Sequence, residues 1–249
     1  MHKTRLMAAG IAMAALALAG CNKSDDTVAP QGAAPAAPAG PATAPLANAD
    51  GTGRGLAPVT SAADKAAGRA LIDKLRTAPN GPKTGYSRDQ YGTAWSDKAS
   101  GVPLSGNKCD TRDDILKRDG SNVQYKDKAS CVVSAMTLPD PYTGKDIAFT
   151  KSKASTVQID HIVPLSASWQ MGADKWPAAK RMQLANDPLN LLAVDGPTNG
   201  GKGDSMPAAW LPPNPNIRCA YVIRYAQVSL KYDLPVTPAD KTAMAGVCG

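Results

Sequence analysis

The chain has 249 residues, with 28 lysines and arginines against 21 acids and a net charge of +7, enough length for one ordinary domain with extensions. All 21 acids are aspartates, and the histidines are two, His2 and His161, which excludes a His-rich zinc site, excludes the H-E-x-x-H metalloprotease motif and leaves any glycosidase pair to two aspartates. With one phenylalanine, 22 glycines and 21 prolines, a loop-rich body with a modest core is expected.

His2, Lys3 and Arg5 form a basic start, Leu6–Ala19 is apolar, and Leu18-Ala19-Gly20-Cys21 follows. A positive start, a short apolar run and small residues before a cut define a bacterial export signal, too short to span a membrane. The ending resembles the lipobox of bacterial lipoproteins, which implies removal of residues 1–20 and lipid on Cys21. Asn22 in the next position, in place of aspartate, favours the outer membrane. The expected location is therefore the cell envelope, at a membrane or on the surface. His2 leaves with the signal, so His161 stays as the one histidine. Residues 21–58 are dominated by Ala, Pro, Gly and Thr and are expected to be a disordered tether, with the folded domain spanning 59–249. Cys109, Cys131, Cys219 and Cys248 make an even set in an oxidising compartment, which predicts two disulfides. Of three pairings, Cys109–Cys131 with Cys219–Cys248 joins the nearest neighbours. A zinc site of four thiolates is the rival, but no C-x2-C pair is present.

In chain order, residues 61–78 read as a helix capped by Thr60 or Ser61, with Ala66, Leu71, Ile72 and Leu75 at helical spacing and Pro79-Asn80-Gly81-Pro82 as its stop. Residues 86–119 read as irregular and polar, with Arg88, Arg112, Lys117 and Arg118, of which Arg112, Lys117 and Arg118 are expected to form a solvated face, with DNA-backbone contact as the rival reading of these cations. Residues 129–136 and 146–150 read as strands around a Pro/Asp/Gly turn, and 158–163 as a short strand. Residues 177–184 fit a helix with proline at its start. Residues 218–231 and 238–247 read as closing helices, the second capped by Thr237.

The densest pattern begins Ile159-Asp160-His161-Ile162-Val163-Pro164-Leu165. It continues with Asn186-Asp187-Pro188-Leu189-Asn190-Leu191-Leu192 and ends with Asn199-Gly200-Gly201-Lys202-Gly203-Asp204. This resembles the HNH, or ββα-metal, nuclease family. The nearer likeness is to the branch shared by secreted HNH proteins and the C-terminal domain of GmrSD-type restriction enzymes. That likeness extends over about residues 86–247 through Cys109-Asp110-Thr111-Arg112, Asp140-Pro141-Tyr142-Thr143-Gly144, Trp169, Trp176, Arg181, Ala185-Asn186-Asp187-Pro188 and Trp210-Leu211-Pro212-Pro213. It implies an α+β fold: a ββα-metal core with flanking helices, held by disulfides.

The resemblance also implies roles. His161 is the general base, Asp160 and Asn199 are metal ligands, and Asn190 orients the histidine loop. Many relatives hold a structural zinc through C-x2-C pairs; here Asp195 and Thr198 stand at those positions, so none is expected. The chemistry agrees. Phosphodiester hydrolysis needs an activated water and neutralised phosphoryl charge. Asp and Asn oxygens suit one hard divalent ion, Mg2+ or else Mn2+. A histidine near its ordinary pKa of about 6.5 can take a proton from water at neutral pH. Arg181 and Lys202 are candidate phosphate contacts. Successive strand residues point to opposite faces, so Asp160 and His161 converge only if the strand ends or twists there. The reading is an endonuclease of the cell envelope, acting on nucleic acid, DNA rather than RNA. Membrane contact would run through Cys21, and no protein partner is implied. Two other readings stand beside it: a catalytically inactive envelope binding domain on an HNH scaffold, and a cell-wall or peptide hydrolase, which lacks a nucleophile–base pair. Trp169, Trp176 and Trp210 are expected to pack rather than to stack on bases.

Overall fold

A computed structural model describes residues 40–128 and 130–248. The export signal, Cys21 and the first part of the expected tether lie outside the described residues. Seven helices and five strands follow in order: α1 (Ala62–Asp73), α2 (Thr111–Asp119), β1 (Ser121–Tyr125), β2 (Val133–Pro139), β3 (Asp146–Thr150), β4 (Val157–His161), α3 (Leu165–Gln170), α4 (Ala178–Asn186), β5 (Leu191–Asp195), α5 (Gly196–Lys202), α6 (Arg218–Tyr232) and α7 (Pro238–Val247). The fold is mixed α and β. Strands β1-β2-β3 form one antiparallel sheet and β4-β5 a second.

The β4-β5 pair stands between two apolar clusters. Its alternation sends Val157, Ile159, Leu191 and Ala193 to one side, against Ile115 and Leu116 of α2 and Met136, Leu138 and Phe149 of the larger sheet. Leu192 and Val194 face the other cluster, built around Tyr221, Val222, Ile223 and Tyr225 of α6 with Ile72 of α1 and Met244 of α7. Cys219 and Cys248 bridge the start of α6 to the end of α7, with Cα atoms 4.9 Å apart. Cys109 and Cys131 bridge the loop before α2 to the β1–β2 connection, at 5.5 Å. The nearest-neighbour pairing therefore holds.

Several boundaries differ from the sequence expectation. The helix capped by Ser61 stops at Asp73, because the N–H groups of Lys74 and Leu75 turn back to Leu71 and Ile72. The residues beyond it pair instead with the chain near Val236. The stretch read as irregular contains α2, which is polar because its acids are used inside the protein. Asp110 caps it, the Asp113 carboxylate accepts from Val133 N, and Asp114 accepts from Asn107. The cations of this stretch are not all solvated: Arg118 and Asp119 form an ion pair with side chains only 5% and 1% exposed, and Arg112 donates to Val157 O.

The tether boundary moves as well. Residues 40–58 lie against the body: Leu56 and Asn48 are buried, Gln227 donates to Pro45 O, and Arg118 donates to Gly51 O. Gly51 has φ +78°, and a Cβ there would fall 2.1 Å from Leu189 N, so only glycine permits this approach. Composition misses the segment because it docks mainly through backbone groups and few side chains.

Candidate active site

β4 ends at His161 because its pairing partner turns away. Ile162 N donates to Asn190 O, and Val163 N donates to the Asn190 side-chain oxygen at 2.8 Å. The Asn190 amide nitrogen donates in turn to Val163 O and Leu184 O, at 3.3 and 3.2 Å. A buried asparagine thus ties the histidine loop to the end of α4.

His161 is buried, and its Nε2 lies 3.0 Å from Ala185 O. A carbonyl oxygen only accepts, so Nε2 carries the proton and Nδ1 keeps the lone pair. Burial pushes the pKa down to about 3, helped by the positive charges of Arg88 and Lys202. The ring is therefore neutral at pH 7, with Nδ1 as an acceptor that has no protein partner among the described residues. Two cavities meet at this ring. One, about 70 Å3, is lined by Arg88, Tyr91, Trp95, Ala185 and Asn186 among others. The other, about 160 Å3, is lined by Arg88, Asp160, Asn199 and Asp204 among others.

Asp160 points to the other face of β4, as the strand period requires. Its Oδ1 and Oδ2 accept from Lys202 Nζ at 2.8 and 2.6 Å, and Oδ2 also accepts from Tyr142 O–H at 2.5 Å. Lys202 Nζ donates further to His161 O at 2.7 Å. Its side chain is wholly buried, with Nζ 5.9 and 5.7 Å from the ring centres of Trp210 and Tyr221. Burial draws the Lys202 pKa down, and Asp160 opposes the loss of its proton.

This corrects two expectations. Lys202 is an internal counter-ion, out of reach of a phosphate. Asp160 is not a free metal ligand, because an ammonium already sits against both its oxygens. Asn199 does face the second cavity, with its amide nitrogen on Gln158 Oε1 at 2.9 Å and its oxygen without a protein partner among the described residues. Asp160 and Asn199 are hard donors on one cavity, yet as folded they do not fit a divalent ion, and no cluster of three or more His, Cys or Asp able to hold a metal occurs among the described residues. Asp195 and Thr198 serve as a helix cap: Asp195 accepts from Thr198 N and Oγ1 at 2.8 and 2.6 Å.

Arg181 is the third correction. Its guanidinium donates to Gln90 O, Ala173 O and Trp176 O and lies over Trp169, so it fastens α4 to neighbouring loops and lines neither cavity. The three tryptophans pack as expected, Trp169 on Tyr86, Trp176 on Tyr232 and Trp210 on Tyr142 and Tyr221. The cation that does line both cavities is Arg88, exposed and without an ion pair or hydrogen bond among the described residues. Sequence reasoning gave no site role to Arg88, Trp95 or Tyr142. Only Tyr142 carried a signal, inside Asp140-Pro141-Tyr142-Thr143-Gly144.

A neutral, buried histidine at the end of a strand, followed by a second strand and a short helix, defines a protein with a candidate acid–base centre. Residues 110–247 match the family described as GmrSD restriction endonucleases, C-terminal domain, and the chain belongs to that family. An "uncharacterized secreted protein" of Arthroderma benhamiae (strain ATCC MYA-4681 / CBS 112371) is 39% identical over 181 residues, which cover 72% of this chain and 82% of that protein. No solved structure matched. Among the described residues no helix is long and apolar enough to cross a membrane.

Proposed function

We propose that the chain is an endonuclease of the HNH type, in which β4, β5 and α5 form the ββα core, acting on nucleic acid and on DNA rather than RNA. The observation that carries this reading is His161. Its Nε2 is committed to Ala185 O, its Nδ1 is left with a lone pair, and two cavities and Arg88 meet beside it. A water oxygen attacks phosphorus while the negative charge of the bound phosphodiester, set beside the ring, offsets the burial that holds the free histidine neutral; Nδ1 takes the water proton, and the phosphorus–oxygen ester bond breaks, its oxygen leaving to be protonated by solvent. Arg88 neutralises charge on the phosphoryl oxygens. Asn190 holds the loop, and Asn199 supplies a polar wall. The Lys202–Asp160 pair, neutral as a whole, fixes the strand end. Attachment to the envelope through a lipidated Cys21 belongs to the same proposal, supported by the export pattern of the sequence.

Buried compensation of Asp160 by Lys202 favours a second reading, an envelope binding domain that has kept the scaffold without the chemistry. One experiment separates them. Purified protein is incubated with plasmid DNA and with RNA, in Mg2+ and in EDTA. Cleavage that vanishes in His161→Ala and weakens in Arg88→Gln is expected. A folded, disulfide-bonded protein that cleaves neither polymer under any condition leaves the binding domain standing.

A further inference from the structure

The Trp95 indole lies on the His161 imidazole, with ring centres 5.7 Å apart and planes 12° from parallel. Trp95 reaches this position with φ +57°, the left-handed region that a bulky side chain rarely enters. The surrounding chain enforces that conformation. Trp95 O accepts from Thr111 N at 3.2 Å, at the start of α2, and Ser96 O accepts from Thr111 Oγ1 at 3.4 Å. The Asp97 carboxylate then gathers the N–H groups of Gly106, Asn107 and Lys108, and Cys109 closes the loop through its disulfide to Cys131. A strained residue held by this many anchors, with its ring laid on a buried histidine, calls for a functional reason.

We propose that Trp95 is the positioning residue of His161: its indole fixes the tilt of the imidazole while Ala185 O fixes its rotation, so that Nδ1 has one direction. The proposal rests on the nuclease reading above. Trp95 is not a catalytic residue here, since its role runs through the histidine. It also precedes residues 110–247, so the clamp is supplied by sequence outside the part of the chain that matches the family. Without the indole the ring keeps one hydrogen bond and regains freedom about it, and water reaches its exposed face.

The test compares Trp95→Leu and Trp95→Phe with the unaltered protein. Trp95→Leu keeps apolar bulk without a stacking ring, and a misplaced base is expected to lower kcat by about 10^2-fold with KM little changed. Trp95→Phe is expected to recover most of that loss. Proton NMR of the His161 ring in the folded protein gives a readout independent of turnover: its resonances broaden in Trp95→Leu, as the ring samples more than one tilt, and stay sharp in Trp95→Phe. A merely structural role would lower apparent kcat only in proportion to the folded fraction measured on the same sample, and kcat per folded molecule would be unchanged. If the unaltered protein cleaves nucleic acid and Trp95→Leu matches its kcat, the positioning role is overturned and the nuclease reading stands. Equal kcat losses in Leu and Phe variants also overturn it. If the unaltered protein cleaves nothing, the nuclease reading falls and the proposal with it.

Discussion

At His161 burial sets both chemistry and stability. Its folded pKa, pushed down to about 3, lies below the ordinary 6.5, so between these values the unfolded chain binds more protons. This contribution is present in full above about pH 6.5 and is lost as pH falls toward 3, at about 1.4 kcal/mol per unit. Urea unfolding at pH 7 and pH 5 is expected to show a loss in the unaltered protein that is smaller by about 2 kcal/mol in His161→Gln. Equal losses in the two proteins would place the histidine in water. Lys202 gives a second test at this scale. Removing one partner of a buried ion pair costs about 3–5 kcal/mol, because the other charge is stranded. Lys202→Met is therefore expected to melt lower and to regain stability in millimolar Mg2+ or Mn2+, which can then take the place of the ammonium at Asp160. The unaltered protein is expected to respond weakly in the same thermal scan. A strong response there would mean that a divalent ion binds with Lys202 in place. His161, Asn190 and Asn199 were singled out in the sequence through a family resemblance, and they lie at the end of β4, directly before β5 and in α5. Arg88 and Trp95 were not, because they arrive from far upstream in a segment without periodicity.

Elements whose ends are fixed by their own residues were read closely. Thr237 caps α7 through Asp240 N, and Ser61 caps α1 through Asp64 N, both as their sequences suggest. Elements fixed by distant partners were not. α2 has Ile115 and Leu116 as its only large apolar residues, and its acids find partners on β2 and a preceding loop, so no amphipathic period announces it. β1 pairs irregularly with β2, with register shifts on either side of Gln124 and Asn122 at φ +52°. α5 shows how one short element can govern the site. It carries Asn199 and Lys202, its Asp195 cap satisfies Thr198 N, and Gly196 admits Ser155 O where a Cβ would sit 1.9 Å away. Asp195→Ala is expected to cost about 0.5–2 kcal/mol by denaturant titration. It should loosen Lys202 with it and lower cleavage more than the folded fraction alone explains. A loss matched to the folded fraction would confine Asp195 to capping.

For the whole molecule, the family match covers residues 110–247, yet the body they form is completed by what precedes them. α1 lends Ile72 to the larger core, Arg88 and Trp95 wall the histidine, and residues 40–58 latch onto a buried charged node. At that node Asp119 accepts from Gly55 N at 2.8 Å and from Ala193 N of β5 at 2.9 Å. Arg118 donates to Gly51 O, Pro188 O and Leu191 O, at 2.7, 2.8 and 2.7 Å. The latch therefore bears on β5 and the turn that presents Asn190. A chain shortened to begin at Val59, the boundary that composition alone suggests, exposes the site of Leu56 and strips partners from Arg118 and Asp119. Burial of one leucine is worth about 2 kcal/mol and each of the two orphaned buried groups costs about 1–3 kcal/mol, so a loss of roughly 4–8 kcal/mol is expected. That is a large share of the 5–15 kcal/mol typical of a folded domain. Urea titration of chains beginning at Gly40 and at Val59 measures it directly. Coincident midpoints would mean that the Arg118–Asp119 node supports β5 without the segment laid across it.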